Sequence, residues 1–473
     1  MSPSEVVRSF RPHDGELIWE GPAAGPAEVE RAVARARAAQ PEWERTPLEE
    51  RHAVARRFAE RAEAEGPRLA RLIAEETGKP LWEAEAEVAS VVAKVGISIE
   101  WQARRAGTID RPLPQHGPDA RQLVHHRPHG VLAVLGPYNF PAHLPNGHVV
   151  PALIAGNAVV LKPSELTPAV GEAYGRLWTS AGLPDGVLEV VQGGATTGRA
   201  LAATDVDGLL FTGSAATGLE LARLFAETPW KILALEMGGN NPIVTWDVAE
   251  ADLEAAAAVV VQSAFLSAGQ RCTCARRWIL EEGRGEKLVD AVLALVDRLR
   301  IGGPFDVPEP FMGPLIDARA AARVERQVAA LAARPLRPLA RAKPGFPFLS
   351  PAVLDATGLS LPDEEIFGPV LLLQRVRDFA QALERASATR FGLAAALVGG
   401  DEALWDRFRT HVRAGVVNRN RPTNGALSSA PFGGVGWSGN HRPSAAYAAD
   451  YCAWPSAGIA AARPHAPFLK GLG

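Results

Sequence analysis

Cys272, in Gly269-Gln270-Arg271-Cys272-Thr273, follows Glu236, in Leu235-Glu236-Met237-Gly238-Gly239, by thirty-six residues. The two are a candidate nucleophile and a candidate base. A thiol with an ordinary pKa of about 8.5 is only a few per cent thiolate near pH 7, so nucleophilic use needs surroundings that favour the anion. Arg271, the adjacent cation, is the first candidate to supply them. Without such surroundings a cysteine is a small apolar core residue. Asn139, in Gly136-Pro137-Tyr138-Asn139-Phe140-Pro141, is either an amide donor for a developing oxyanion or a turn residue between prolines.

Two more segments suit a phosphorylated ligand. Lys162-Pro163-Ser164-Glu165 follows a short apolar run, and at the C-terminal edge of a parallel sheet Lys162 and Glu165 can hold ribose hydroxyls; elsewhere they are two solvated charges. Thr167-Pro168 then reads as an N-cap and first helical residue. Gly213-Ser214-Ala215-Ala216-Thr217-Gly218 is neither the usual dinucleotide fingerprint nor a P-loop. It still offers small residues and backbone amides at a helix start, where a phosphate can sit or where two elements merely pack closely.

The elements that must carry these groups are legible in hydrophobic pattern. From Ala27 to about Arg105 apolar residues recur at helical spacing, which predicts a run of amphipathic helices. From Gly130 onward, apolar runs at 131–135, 158–161, 187–191 and 209–211 each lead into a turn and a helical segment. Continuous apolar strands alternating with helices predict a parallel α/β sheet. The alternation restarts with strand 242–245, helix 252–265, strand 277–280 and helix 286–299, so a second α/β unit begins near Gly239 and contains Cys272. Residues 121–125, after a proline-rich stretch, read as a projecting strand.

The chain has 473 residues, 47% hydrophobic and 22% charged, which suits two or three globular domains. A net charge of −3 provides no general attraction to nucleic acid or anionic membranes. Three cysteines, 272, 274 and 452, fit neither a disulfide framework nor structural zinc, and no metal site is expected. There is no signal-peptide-like apolar core near residue 1 and no uninterrupted run of about eighteen apolar residues, so a cytoplasmic location is expected. Only seven of fifty basic residues are lysine (79, 94, 162, 231, 287, 343 and 470). Arginine is the default cation, and a retained lysine carries more information.

Tyr138-Asn139, Lys162-Pro163-Ser164-Glu165, Phe211-Thr212-Gly213-Ser214, Glu236-Met237-Gly238-Gly239, Gly269-Gln270-Arg271-Cys272 and Glu365-Ile366-Phe367-Gly368-Pro369 occur in an order and spacing that resemble the aldehyde dehydrogenase superfamily, over nearly the whole chain. The resemblance implies an α/β fold with two parallel-sheet domains and a small β oligomerisation element. Residues 1–107 and 129–238 would bind a dinucleotide, 239–443 would form the catalytic domain, and 108–128 with 444–473 would form the oligomerisation element and tail. It implies that Cys272 adds to an aldehyde, that Asn139 and the Cys272 amide hold the oxyanion, and that Glu236 activates the water that hydrolyses a thioester. It also implies that Glu365 and Phe367 meet the nicotinamide ribose and ring, Lys162 and Glu165 the adenosine ribose, and Ser214 the pyrophosphate. A Glu165 carboxylate at the 2′-hydroxyl favours NAD over NADP.

Asn420-Arg421-Pro422-Thr423-Asn424-Gly425, Ala430-Pro431-Phe432-Gly433-Gly434 and 438–452 resemble the branch of that family acting on N-succinylglutamate 5-semialdehyde. Such a substrate carries two carboxylates, and Arg421, His441 and Arg442 are the expected contacts. Another semialdehyde, of glutamate or succinate, is the nearest alternative, and a catalytically silent scaffold is an alternative of another class. The resemblance further implies a homodimer or a dimer of dimers.

Overall fold

Alternate residues of each central strand serve opposite faces, and helices cover both. In a computed structural model describing residues 5–464 and 471, a five-stranded sheet runs in the order Leu188–Val190, Ala158–Lys162, Val131–Leu135, Gly208–Gly213, Ile232–Met237. All its pairings are parallel. Leu132, Val134, Val159 and Leu161 pack with Phe58, Tyr174 and Trp178 of the helices on one face. Val131, Ala133, Ala158 and Val160 pack with Val29 and Val33 of helix Pro26–Arg45 on the other. Each strand is therefore apolar throughout, as burial on both sides requires.

Gly238 and Gly239 lead from that sheet into strand Asn241–Trp246 of a second one. It has seven strands, in the order Arg334–Arg337, Ala352–Asp355, Val370–Val376, Ala275–Glu281, Asn241–Trp246, Ala394–Gly399, Val416–Arg419. Only the first pairing is antiparallel. Among the described residues the 20-residue stretch Glu250–Gly269, with a mean hydropathy of 1.3 in an 18-residue window, has the length and apolarity of a bilayer-crossing helix, but half of that window is buried inside the protein. It contains helix Leu253–Phe265, whose Ala257, Val261 and Phe265 join the core beneath Trp278, Leu371 and Leu373.

A third sheet projects from the body: Ile109–Pro112, Arg121–Pro128 and Ala453–Ala460, all antiparallel. Residues 1–4, 465–470 and 472–473, which belong to the expected terminal segments, lie outside the described residues. The structure adds elements that hydrophobic pattern did not announce. A hairpin, Val6–Phe10 with Leu17–Pro22, precedes the first helix, and Glu236 itself lies in a strand. Thr167 does cap helix Pro168–Ser180, but its hydroxyl makes no bond; the buried Glu76 carboxylate accepts from the Ala169 and Val170 amides at 3.0 and 2.8 Å instead.

Candidate active site

The C-terminal edge of the five-stranded sheet faces the N-terminal edge of the seven-stranded one. Glu236 and Thr212 end strands of the first, whereas Cys272 lies just before strand Ala275–Glu281 of the second. Between them is a cavity of about 500 Å³ lined by Asn139, Thr212, Glu236, Cys272, Glu365 and Phe367, among others. The structure thus brings Cys272, Glu236 and Asn139 to one space, together with the Glu365–Phe367 segment.

The cysteine turn is strained and strapped down. Ser267 and Ala268 both have φ of +53°, a region that costs a residue with a side chain about 1–3 kcal/mol. Gly269, at φ +72°, could carry no side chain, since a Cβ there would lie 2.0 Å from the Gly368 carbonyl oxygen. Glu83 offsets the strain: its buried carboxylate accepts from the Ser267 amide (3.1 Å), the Ser267 hydroxyl (2.9 Å) and the Arg271 guanidinium (3.1 Å). Asn241 donates to the carbonyls of Cys272 and Cys274 at 2.7 and 2.9 Å, and buried Arg276 ties the Gly269 and Gly368 carbonyls together.

One turn further along the same helix, Leu81–Arg105, Glu87 holds the other side of the site. It accepts from the Ala142 and His143 amides at 3.0 and 3.1 Å and from Lys79 at 2.7 Å. Lys79 in turn donates to the Asn139 carbonyl at 2.7 Å. The Asn139 amide nitrogen reaches the Gln270 carbonyl at 3.0 Å, so it stands beside the cysteine turn.

Arg271 does not favour the thiolate, contrary to the expectation from its sequence position. Its guanidinium is paired with Glu83, and burial together with the nearby Glu365 and Glu236 carboxylates pushes the Cys272 thiol well above its ordinary pKa. The resting group is a thiol, and attack on a carbonyl requires a base.

Burial pushes Glu236 up to about 8. Its Oε1 accepts from the Ser444 amide at 3.2 Å, while Oε2 is buried with no hydrogen-bond partner. Once ionised, a buried carboxylate oxygen without a partner is a strong proton acceptor. The C-terminal segment fixes this strand. Asn440 bonds both the Leu235 amide and the Leu233 carbonyl, and the Ser438 hydroxyl donates to the Gly238 carbonyl at 2.7 Å. Gly238 must lack a side chain, because a Cβ would lie 1.9 Å from Glu365 Oε2. Glu365 accepts from the Gly239 amide at 3.2 Å, and burial raises it to about 7. Phe367 meets Tyr138 edge to face, with ring centroids 6.1 Å apart.

A second cavity, of about 590 Å³, continues past Pro137, Thr212 and Ser214 along the sheet edge to Lys162, Glu165 and Gly198. The two volumes suit an extended dinucleotide lying across the point where strand order reverses. Ser214 Oγ accepts from the Thr217 amide at 3.2 Å, leaving the amides of Ala215 and Ala216 at the start of helix Ala215–Phe225 to an outside acceptor such as a phosphate. Gly213 and Gly218 keep this turn close to its own sheet: a Cβ on Gly218 would meet Met237 Sδ at 2.2 Å. Lys162 is buried, donates to the Pro163 and Gly193 carbonyls at 2.9 and 2.7 Å, and lies 3.6 Å from Glu165. Two of its three donors are committed, and the half-exposed Glu165 carboxylate borders the cavity beside it, with Arg199 and Glu220 also in the lining.

Arg421, His441 and Arg442 are all exposed, and none lines either cavity. The residues flanking His441 and Arg442 are engaged with the Glu236 strand, and those following Arg421 with helix Leu253–Phe265. Among the described residues no group of three or more His, Cys, Asp or Glu could hold a metal ion.

The sequence matches the aldehyde dehydrogenase family model over residues 1–454. It is 56% identical over 469 residues to an N-succinylglutamate 5-semialdehyde dehydrogenase of Caulobacter vibrioides, covering 98% of each chain. Its fold superposes with a TM-score of 0.91 on an NAD-dependent aldehyde dehydrogenase from Sinorhizobium meliloti, at 29% identity and covering 98% of this chain and 93% of that one. The TM-score is 0.89 with an NADP-dependent enzyme of E. coli, at 31% identity and covering 97% of this chain and 95% of that one.

Proposed function

This chain belongs to the aldehyde dehydrogenase family, and we propose that it oxidises N-succinyl-L-glutamate 5-semialdehyde to N-succinyl-L-glutamate, a step of arginine catabolism, with NAD as cofactor. One observation carries the reaction: Cys272, Asn139 and the unpaired Glu236 Oε2 share one cavity. The substrate is inferred from the relatives.

Cys272 Sγ passes its proton to ionised Glu236, which releases it to solvent before the hydrolytic step, and adds to the aldehyde carbon, forming a thiohemiacetal. Asn139 Nδ2 and the Cys272 amide donate to the new oxyanion. The nicotinamide of the bound dinucleotide supplies the acceptor for the hydride. Cys272 is left as a thioester, and Glu236 Oε2 takes a proton from the water that attacks it. Glu365 and Phe367 hold the nicotinamide end, while Lys162, Glu165 and the turn Gly213–Gly218 hold the adenosine and phosphate end.

The preference for NAD is supported by Glu165, which would accept from a 2′-hydroxyl and repel a 2′-phosphate, and by Lys162, two of whose three donors are already held by carbonyls. The projecting sheet exposes Ile109, Trp454 and Ile459, which supports assembly with a second copy of the chain. Three unpaired thiols fit a reducing, cytoplasmic compartment. The direct test is Cys272→Ala, which abolishes formation of reduced dinucleotide and of a covalent acyl adduct detected by intact-mass measurement. Appreciable turnover by that variant contradicts the covalent route.

A further inference from the structure

Lys94 is an expensive residue where it stands. Its side chain is 1% exposed, midway along helix Leu81–Arg105, and its ammonium group makes one hydrogen bond, 2.8 Å to the Ala445 carbonyl. An ammonium group has three donors, and among the described residues no carboxylate forms an ion pair with this one. A buried charge without a counter-charge is destabilising by several kcal/mol. Burial accordingly lowers Lys94 to about 8, which leaves it charged at neutral pH.

Lys94 borders a third cavity, of about 110 Å³, which also reaches His143, His148, Glu236 and Ser444 and opens at Leu427, 67% exposed. At about 30 Å³ per water it has room for three or so waters, or for one arm of a small acid. Leu144, Thr212, Glu236 and Phe432 line both this cavity and the one holding Cys272, so the two abut. Neither imidazole supplies charge: burial lowers His143 to about 4 and His148 to about 3. His148 is fully engaged, with Nδ1 2.9 Å from the Tyr451 hydroxyl and Nε2 3.1 Å from that of Thr212. His143 Nδ1 is buried with no partner. One cation with spare donors and an imidazole with an unpartnered nitrogen thus belong to the lining of a small space beside the catalytic cavity.

We propose that Lys94 is the specificity-determining residue that binds a substrate carboxylate, with His143 as its neutral companion. The inference rests on semialdehyde oxidation at Cys272. It replaces the exposed Arg421, His441 and Arg442 with a group already desolvated, for which a charge-assisted bond is worth more than at the surface.

The test compares kcat/KM, followed by reduced-dinucleotide absorbance, for N-succinylglutamate 5-semialdehyde, succinate semialdehyde and butanal. In Lys94→Met the ratio of either carboxylate substrate to butanal falls about 10- to 100-fold, through KM more than kcat. An unchanged ratio overturns the inference, and because it is a ratio, a partly folded preparation does not blur it. Lys94→Gln, which can still donate to the Ala445 carbonyl, serves as the second variant should Lys94→Met not fold. If the unaltered protein oxidises both carboxylate substrates equally well and Lys94→Met loses both, the succinyl reading fails while Lys94 stands. If it prefers neither carboxylate substrate to butanal, both fall.

Discussion

Glu236 should set the pH dependence of turnover. Its carboxyl is raised to about 8 by burial, and only the ionised form can take a proton from the attacking water. With that pKa about one-tenth of the molecules carry the base at pH 7 and about nine-tenths at pH 9. Where thioester hydrolysis limits the rate, kcat therefore rises about tenfold between those values and then levels. Glu236→Gln removes the rising limb and slows hydrolysis by about 10²- to 10⁴-fold, the usual contribution of a positioned base. Rapid mixing separates the steps: the variant retains a burst of reduced dinucleotide, one per site, followed by a nearly flat trace. A variant that keeps both its pH limb and its steady-state rate refutes the assignment. The same burial has a stability consequence. A folded-state pKa raised from 4.5 to about 8 means that stability is fully present below pH 4.5 and lost as the pH rises through 8. Glu236→Gln should remove that decline, measured as urea unfolding at pH 5 and pH 9.

Replacing Glu165 by serine removes a negative charge beside Lys162 in the cavity lining, and the ratio of kcat/KM for NAD over NADP should fall about tenfold, a single charge–charge contact in partial solvent. An unchanged ratio would place discrimination elsewhere. Glu83→Gln leaves the Arg271 guanidinium without its counter-charge and weakens the strap on the Ser267–Ala268 turn. It should cost about 3–5 kcal/mol of unfolding free energy and lower kcat together with stability; full stability in urea would show that the turn holds itself.

Strand runs such as 131–135 and 158–161 were readable because a sheet covered on both faces leaves no polar position to confuse the pattern. The strand carrying Glu236 was not: four of its six residues are buried, but a charged residue interrupts the run and two glycines follow it. The motif residues were legible by type and spacing, and the structure gathers them, with Cys272, Glu236 and Asn139 around one cavity. Their supports were hidden. Glu76, Glu83 and Glu87 sit in Ala- and Glu-rich helices, where periodicity assigns carboxylates to the solvent side, yet all three are buried and accept amides at a helix start or turn. Capping between distant segments leaves no local pattern to detect. One compositional signal did point inward: of the seven lysines, Lys79, Lys94 and Lys162 are buried, each beside a cavity or one of its supports. The exposed Arg421 and Arg442 show the reverse, since arginine in this chain is the ordinary surface cation.

An active site built for a semialdehyde bearing the N-succinyl group should prefer it to the same aldehyde without that group. The measurement that tests it most directly is kcat/KM for N-succinylglutamate 5-semialdehyde against glutamate 5-semialdehyde, under the same conditions with saturating NAD. Efficiency should be at least about tenfold higher with the succinyl group, because a site with buried polar groups discriminates against the analogue that leaves them unpaired. Equal or greater efficiency without it would contradict the claim.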